Sequence, residues 1–132
     1  MLKNHSQIIL HRFATGRAAG GFHHRDHVRL CWIYLRQGSP LEVLARLAKN
    51  LKAFARAQGM PDLYHETITW AYVFLVHERM GAPDENWERF AARTPELLSW
   101  KPSLLDRYYT ASTLDSDGAR ASFVLPDRLA AI

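Results

Sequence analysis

The stretch at residues 62–81, DLYHETITWAYVFLVHERMG, constrains the fold of this chain more than any other. Its length, with Pro61 before it and Gly81 closing it, predicts one helix of about five turns over residues 62–80. At about 100° per residue its large apolar side chains do not form a single stripe. Trp70, Phe74 and Leu63 point one way, Ile68, Leu75 and Tyr64 a second, and Val73 and Val76 a third. A helix that is apolar nearly all round is enclosed by others, so most of its side chains are expected to be buried. The same helix carries His65, Glu66, Thr67 and Thr69 in its first turns. Burying such groups without partners costs on the order of 1–3 kcal/mol each, and more for a carboxylate. Either other residues satisfy them or they line a wet or ligand-filled hollow.

Two further helices flank this one in the sequence. Residues 22–37 read FHHRDHVRLCWIYLRQ, stopped by Gly38 and Pro40. Arg25, Arg29 and Arg36 share one face with Asp26, whereas Leu30, Cys31, Tyr34 and Leu35 lie opposite. His27 falls near the centre of the apolar face, with His23 and His24 on its flanks. Residues 40–58 form the clearest amphipathic helix, with Val43, Leu44, Leu47, Leu51 and Phe54 as the inward stripe. Ser39 is its expected N-cap, Pro40 its first-turn proline and Gly59 its C-terminal cap. Arg46, Lys49, Lys52 and Arg56 gather on the other face.

The last third is broken by prolines into short helices: one opened by Pro83 and Asp84, one by Thr94 and Pro95, one at Leu104–Tyr109, and one capped by Asp117. Only residues 122–125 suggest a strand, and that run is short. The expected fold is therefore all-α: a small single-domain bundle of about three long helices around the buried central one, with short C-terminal helices. Residues 22–132 make up this domain. Residues 1–21 contain no Asp or Glu and read as a flexible basic arm, a composition also compatible with a targeting segment.

Composition narrows the class of protein. Hydrophobic residues at 48% and charged residues at 23% match an ordinary globular domain. No run of about 18 apolar residues occurs, so no membrane span is expected. The single cysteine, Cys31, excludes an internal disulfide, and a cytoplasmic location follows as the expectation. A net charge of +4 is too small to argue for nucleic acid on its own, so a nucleic-acid partner is not expected. A small-molecule ligand, and possible assembly of like chains, are the expected partners.

The histidines carry the chemical expectation, because five of the seven fall inside the predicted helices. Histidines at i, i+3 or i, i+4 project from one helical face and can chelate one cation. His24 with His27, or His23 with His27, satisfies this spacing, and His65 supplies a third nitrogen if the two helices pack face to face. Glu66 would then act as ligand or as general base for a metal-bound water. Zinc, iron or nickel suits such imidazole-rich ligation. The expected function is a small metal-binding protein, a metalloenzyme acting on a small polar molecule.

Known metal signatures are matched only in part. His65-Glu-Thr-Ile-Thr69 starts like the zinc-protease motif HExxH but ends in threonine, and no Glu-x-x-His pair of the di-iron kind is present. Two alternatives stand beside the metal site. One is a metal-free acid–base site in which His27 or His65 is the base, Glu66 orients it, and Thr69 or Tyr34 binds a polar substrate atom. The other is a non-catalytic module binding through the basic helix 40–58, a face whose commoner explanation is simple solvation. A buried hydrogen-bonded histidine network is the bland reading of the same residues. A dyad of Cys31 with His27 is less common than a buried structural thiol.

Overall fold

The computed structural model describes residues 23–128, and the expected basic arm lies outside them. Among the described residues seven α-helices follow one another: α1 (His24–Leu35), α2 (Pro40–Ala57), α3 (Glu66–Arg79), α4 (Trp87–Arg93), α5 (Pro95–Leu98), α6 (Ala111–Leu114) and α7 (Asp117–Ala121). Two 3-10 turns, Pro61–Leu63 and Leu104–Arg107, complete the order. The fold is all-α, with no strand among the described residues. Helices α1, α2 and α3 pack against one another, and α7 lies against α3 from a further side. Their shared core holds Val28, Leu30, Leu47, Tyr72, Val73 and Val76, joined by Phe90, Leu97 and Leu105 from the C-terminal third.

Local signals fix α2 as the sequence suggests. Ser39 Oγ accepts the Glu42 amide while the Glu42 carboxylate accepts the Ser39 amide, a reciprocal cap. At the other end Gly59 has φ +69, the left-handed conformation that costs glycine least. It lets Gly59 N donate to Arg56 O and Met60 N to Ala55 O, the paired bonds of a Schellman motif. Val43, Leu44 and Leu47 are buried, while Leu51 and Phe54 are half-buried against the core.

The central helix is shorter than its apolar pattern predicts. It begins at Glu66, not at residue 62, because Pro61–Leu63 form a 3-10 turn and Tyr64 is extended at ψ 137. His65 is the N-cap: its Nδ1 accepts the Ile68 amide at 3.1 Å, taking the role that periodicity assigns to helix interior. Burial is also less complete than expected. Tyr72, Val73, Leu75 and Val76 are enclosed, but Phe74 is 44% exposed and Leu63 is 62% exposed. The face of α3 that carries Trp70 and Phe74 therefore reaches the surface, where Trp70 stacks on Phe123 at 4.9 Å.

That contact is part of how the C-terminal segment is tied down. Residues 122–125 lie beside α3 without pairing as a strand. Buried Thr67 organises them: its Oγ1 donates to Ser122 O at 2.8 Å and accepts Val124 N at 3.1 Å. Tyr109 donates its hydroxyl to Val124 O at 2.7 Å. The Asp127 carboxylate accepts from Thr113 Oγ1, Thr110 N and Thr110 Oγ1, bonds that lower its pKa, the Thr113 hydroxyl most of all.

Candidate functional site

The inward face of α1 brings His24 and His27 to the Tyr72 ring of α3, at centroid distances of 4.8 and 5.9 Å. The two imidazoles are themselves edge to face at 6.4 Å. Trp100, 46% exposed, tilts over His24 at 4.8 Å and forms the outer wall. The Tyr72 hydroxyl reaches Ser103 Oγ at 3.1 Å, at the head of the Leu104–Arg107 turn. Ser103 and Trp100 have no signature in the sequence. They arrive because the chain between α5 and that turn folds back in an antiparallel bridge between them.

The two histidines differ in how they are satisfied. His24 Nε2 lies 2.8 Å from Leu97 O, which fixes that nitrogen as the donor of a neutral ring. His27 Nε2 is enclosed without a hydrogen-bond partner, the single buried side-chain polar atom so placed among the described residues. Burial lowers the His24 pKa, against a smaller upward pull from the Leu97 carbonyl. For His27 burial, reinforced by His24, takes it down to about 4. Both rings are therefore neutral at pH 7. Burial likewise pushes Cys31 up to about 12, so at neutral pH it is a core thiol and not the thiolate of a dyad.

The expected metal set does not assemble. His65 spends both ring nitrogens on the protein, Nδ1 on the Ile68 amide and Nε2 on Leu114 O at 2.7 Å. His23 sits at the exposed start of α1, where its amide donates to Asp26 Oδ2 at 3.0 Å. Glu66 Oε1 accepts the Tyr64 hydroxyl. No group of three His, Cys, Asp or Glu side chains able to hold a metal ion exists among the described residues. His24 and His27 alone fall short of the three protein ligands that zinc-type centres use, and His24 already gives Nε2 to a carbonyl. Among the described residues these donors do not make up a zinc, iron or nickel centre.

The expected catalytic group of His65, Glu66 and Thr69 meets the same difficulty. Thr69 Oγ1 donates to His65 O at 2.8 Å, the back-bond of a buried threonine to the previous turn. His65 has no nitrogen left to take a proton from a substrate. Of the three, His65 ties the start of α3 to α6, and sequence spacing does not reveal this because the acceptor, Leu114 O, is a backbone atom of a distant short helix.

No family model matches this chain, and neither do curated proteins or solved structures. No described helix is long and apolar enough to cross a membrane.

Proposed function

We propose that this chain binds a small, polar, uncharged molecule between α1 and α3, with His27 Nε2 as the group that recognises it. The enclosed, unpartnered nitrogen carries this reading. Leaving a buried polar group unsatisfied costs about 1–3 kcal/mol, a penalty that a ligand hydrogen bond removes. The aromatic surround of His24, Tyr72 and Trp100 favours a planar guest, and the Tyr72–Ser103 hydroxyl pair can give or accept a second bond.

Binding is favoured over acid–base catalysis by one magnitude. A base with a pKa of about 4 draws protons weakly at pH 7, where an efficient general base is poised nearer neutrality. The same neutrality suits a hydrogen-bonding role, since neither imidazole carries a charge that the ligand must compensate.

Thermal denaturation against a panel of small amides, nucleobases and other neutral heteroaromatic compounds tests this. One class should raise the melting temperature of the wild type, by an amount set by its concentration relative to Kd, and leave His27→Leu unmoved. If no compound shifts the wild type, and His27→Leu melts higher than it, His27 is a strained core residue and the proposal fails.

A further inference from the structure

The charge of this chain is divided along its length. Residues 1–61 carry ten Lys and Arg against two Asp and Glu, whereas residues 62–132 carry seven against eleven. A modest total of +4 therefore conceals a strongly basic first half. Within it, α2 contributes Arg46, Lys49, Lys52 and Arg56, all exposed. At 100° per residue they fall within one sector of about 120°, and Arg46 to Arg56 spans about 15 Å of helix.

Two of the acids nearby are committed to other partners, and a third, the exposed Asp62, sits in the Pro61–Leu63 turn that packs on α2. Glu42, the one carboxylate of α2, is turned onto the Ser39 amide and hydroxyl at 3.1 and 2.8 Å. Glu66 accepts the hydroxyl of Tyr64, whose ring lies under Lys52 Nζ at 5.2 Å. Arg46 rests over the Tyr34 ring at 4.3 Å and donates to Gln37 Oε1 at 3.1 Å, so it lies along the surface with its charge uncompensated by a carboxylate. None of the four makes an ion pair with a described residue.

We infer that the exposed face of α2 docks on the phosphate backbone of a double-stranded nucleic acid, without reading its sequence. The side chains exposed between the cations are alanines, Ala45, Ala53 and Ala57, which let a backbone approach closely and offer no hydrogen bond to base edges. The face carries no exposed aromatic on which an unpaired base would stack, which favours a duplex over a single strand. The apolar side of α2, Val43, Leu44 and Leu47, is committed to the core and leaves Leu41 as its one exposed large apolar side chain, too little to sink into a bilayer. Charge complementarity along one straight helix is thus matched to a phosphate row.

Fluorescence anisotropy of a short labelled duplex DNA, titrated with the full chain across a salt series, tests the inference. Binding in the range of about 10⁻⁴–10⁻⁶ M near physiological salt is expected, independent of base sequence. If all four cations engage, log K should fall against log salt with a slope of about −3.6. Lys49→Glu with Arg56→Glu should weaken binding at least tenfold and reduce the slope by about 2. Reversing exposed Arg107 in the acidic half is the control, and should change affinity less than threefold. Because these side chains are exposed, the variants should melt with the wild type. Equal losses from the α2 pair and from Arg107→Glu would mean that net charge alone acts, and would overturn the assignment. Absence of binding at about 50 mM salt, or capture by phosphatidylserine vesicles without duplex binding, would do the same.

Discussion

His65 Nε2 lies 2.7 Å from the carbonyl oxygen of Leu114, joining the first turn of α3 to the last residue of α6. The same ring caps α3 through Nδ1, so one imidazole performs two structural tasks. His65→Ala removes both and should cost about 2–3 kcal/mol, the sum of a lost cap and a lost cross-chain bond. His65→Asn keeps a good capping side chain and should recover about half of that. Urea denaturation followed by circular dichroism measures the difference, and an alanine variant within about 0.5 kcal/mol of wild type would remove the clamp from this account.

Thr67 binds the C-terminal segment in a comparable way. Its buried hydroxyl serves Ser122 O and Val124 N together. Thr67→Val keeps the shape but strands a buried carbonyl and amide, at about 2–4 kcal/mol. Thr67→Ser keeps the hydroxyl and should lose less. Amide exchange at Val124 supplies the local readout: it should accelerate in the valine variant well beyond the global change.

Phe74 separates what the apolar pattern predicts from what packing delivers. An enclosed phenylalanine would lose about 3–5 kcal/mol on truncation to alanine. At 44% exposure Phe74→Ala should instead cost less than about 1 kcal/mol, whereas Val73→Ala, fully buried one residue earlier, should cost roughly 2 kcal/mol or more. Similar losses at both positions in chemical denaturation would restore the enclosed helix.

These contrasts show which parts of the molecule are legible in its sequence. The caps and stripe of α2 are local, so Ser39, Glu42 and Gly59 announce the element that forms. The all-α class follows from helical periodicity and from prolines near helix starts. The start of α3 does not, because the competition between a helical Tyr64 and an extended one is decided by His65 finding Leu114 O across the chain. The inward direction of His24 and His27 is readable from the α1 wheel, and the structure places both against Tyr72. Spacing also points His65 towards them, and it cannot reveal the backbone partners, Ile68 N and Leu114 O, that take both of its ring nitrogens.

The enclosed His27 ring sets a pH dependence whose sign can be worked out. Its folded-state pKa of about 4 lies below the ordinary value of 6.5. Between those values the unfolded chain binds a proton that the folded chain does not, so acidification favours unfolding. Stability is therefore greatest above about pH 6.5 and falls as pH drops toward 4. From about pH 6.5 to about pH 5, above most carboxylate titration, His27 alone should remove about 2 kcal/mol. His24 and His65 are lowered as well and steepen the same limb. His27→Leu deletes its own share, so the variant's urea midpoint should change less over this window than that of the wild type. Identical slopes for the two proteins would show that His27 titrates with equal affinity in both states, and its enclosure would no longer account for the acid sensitivity of the fold.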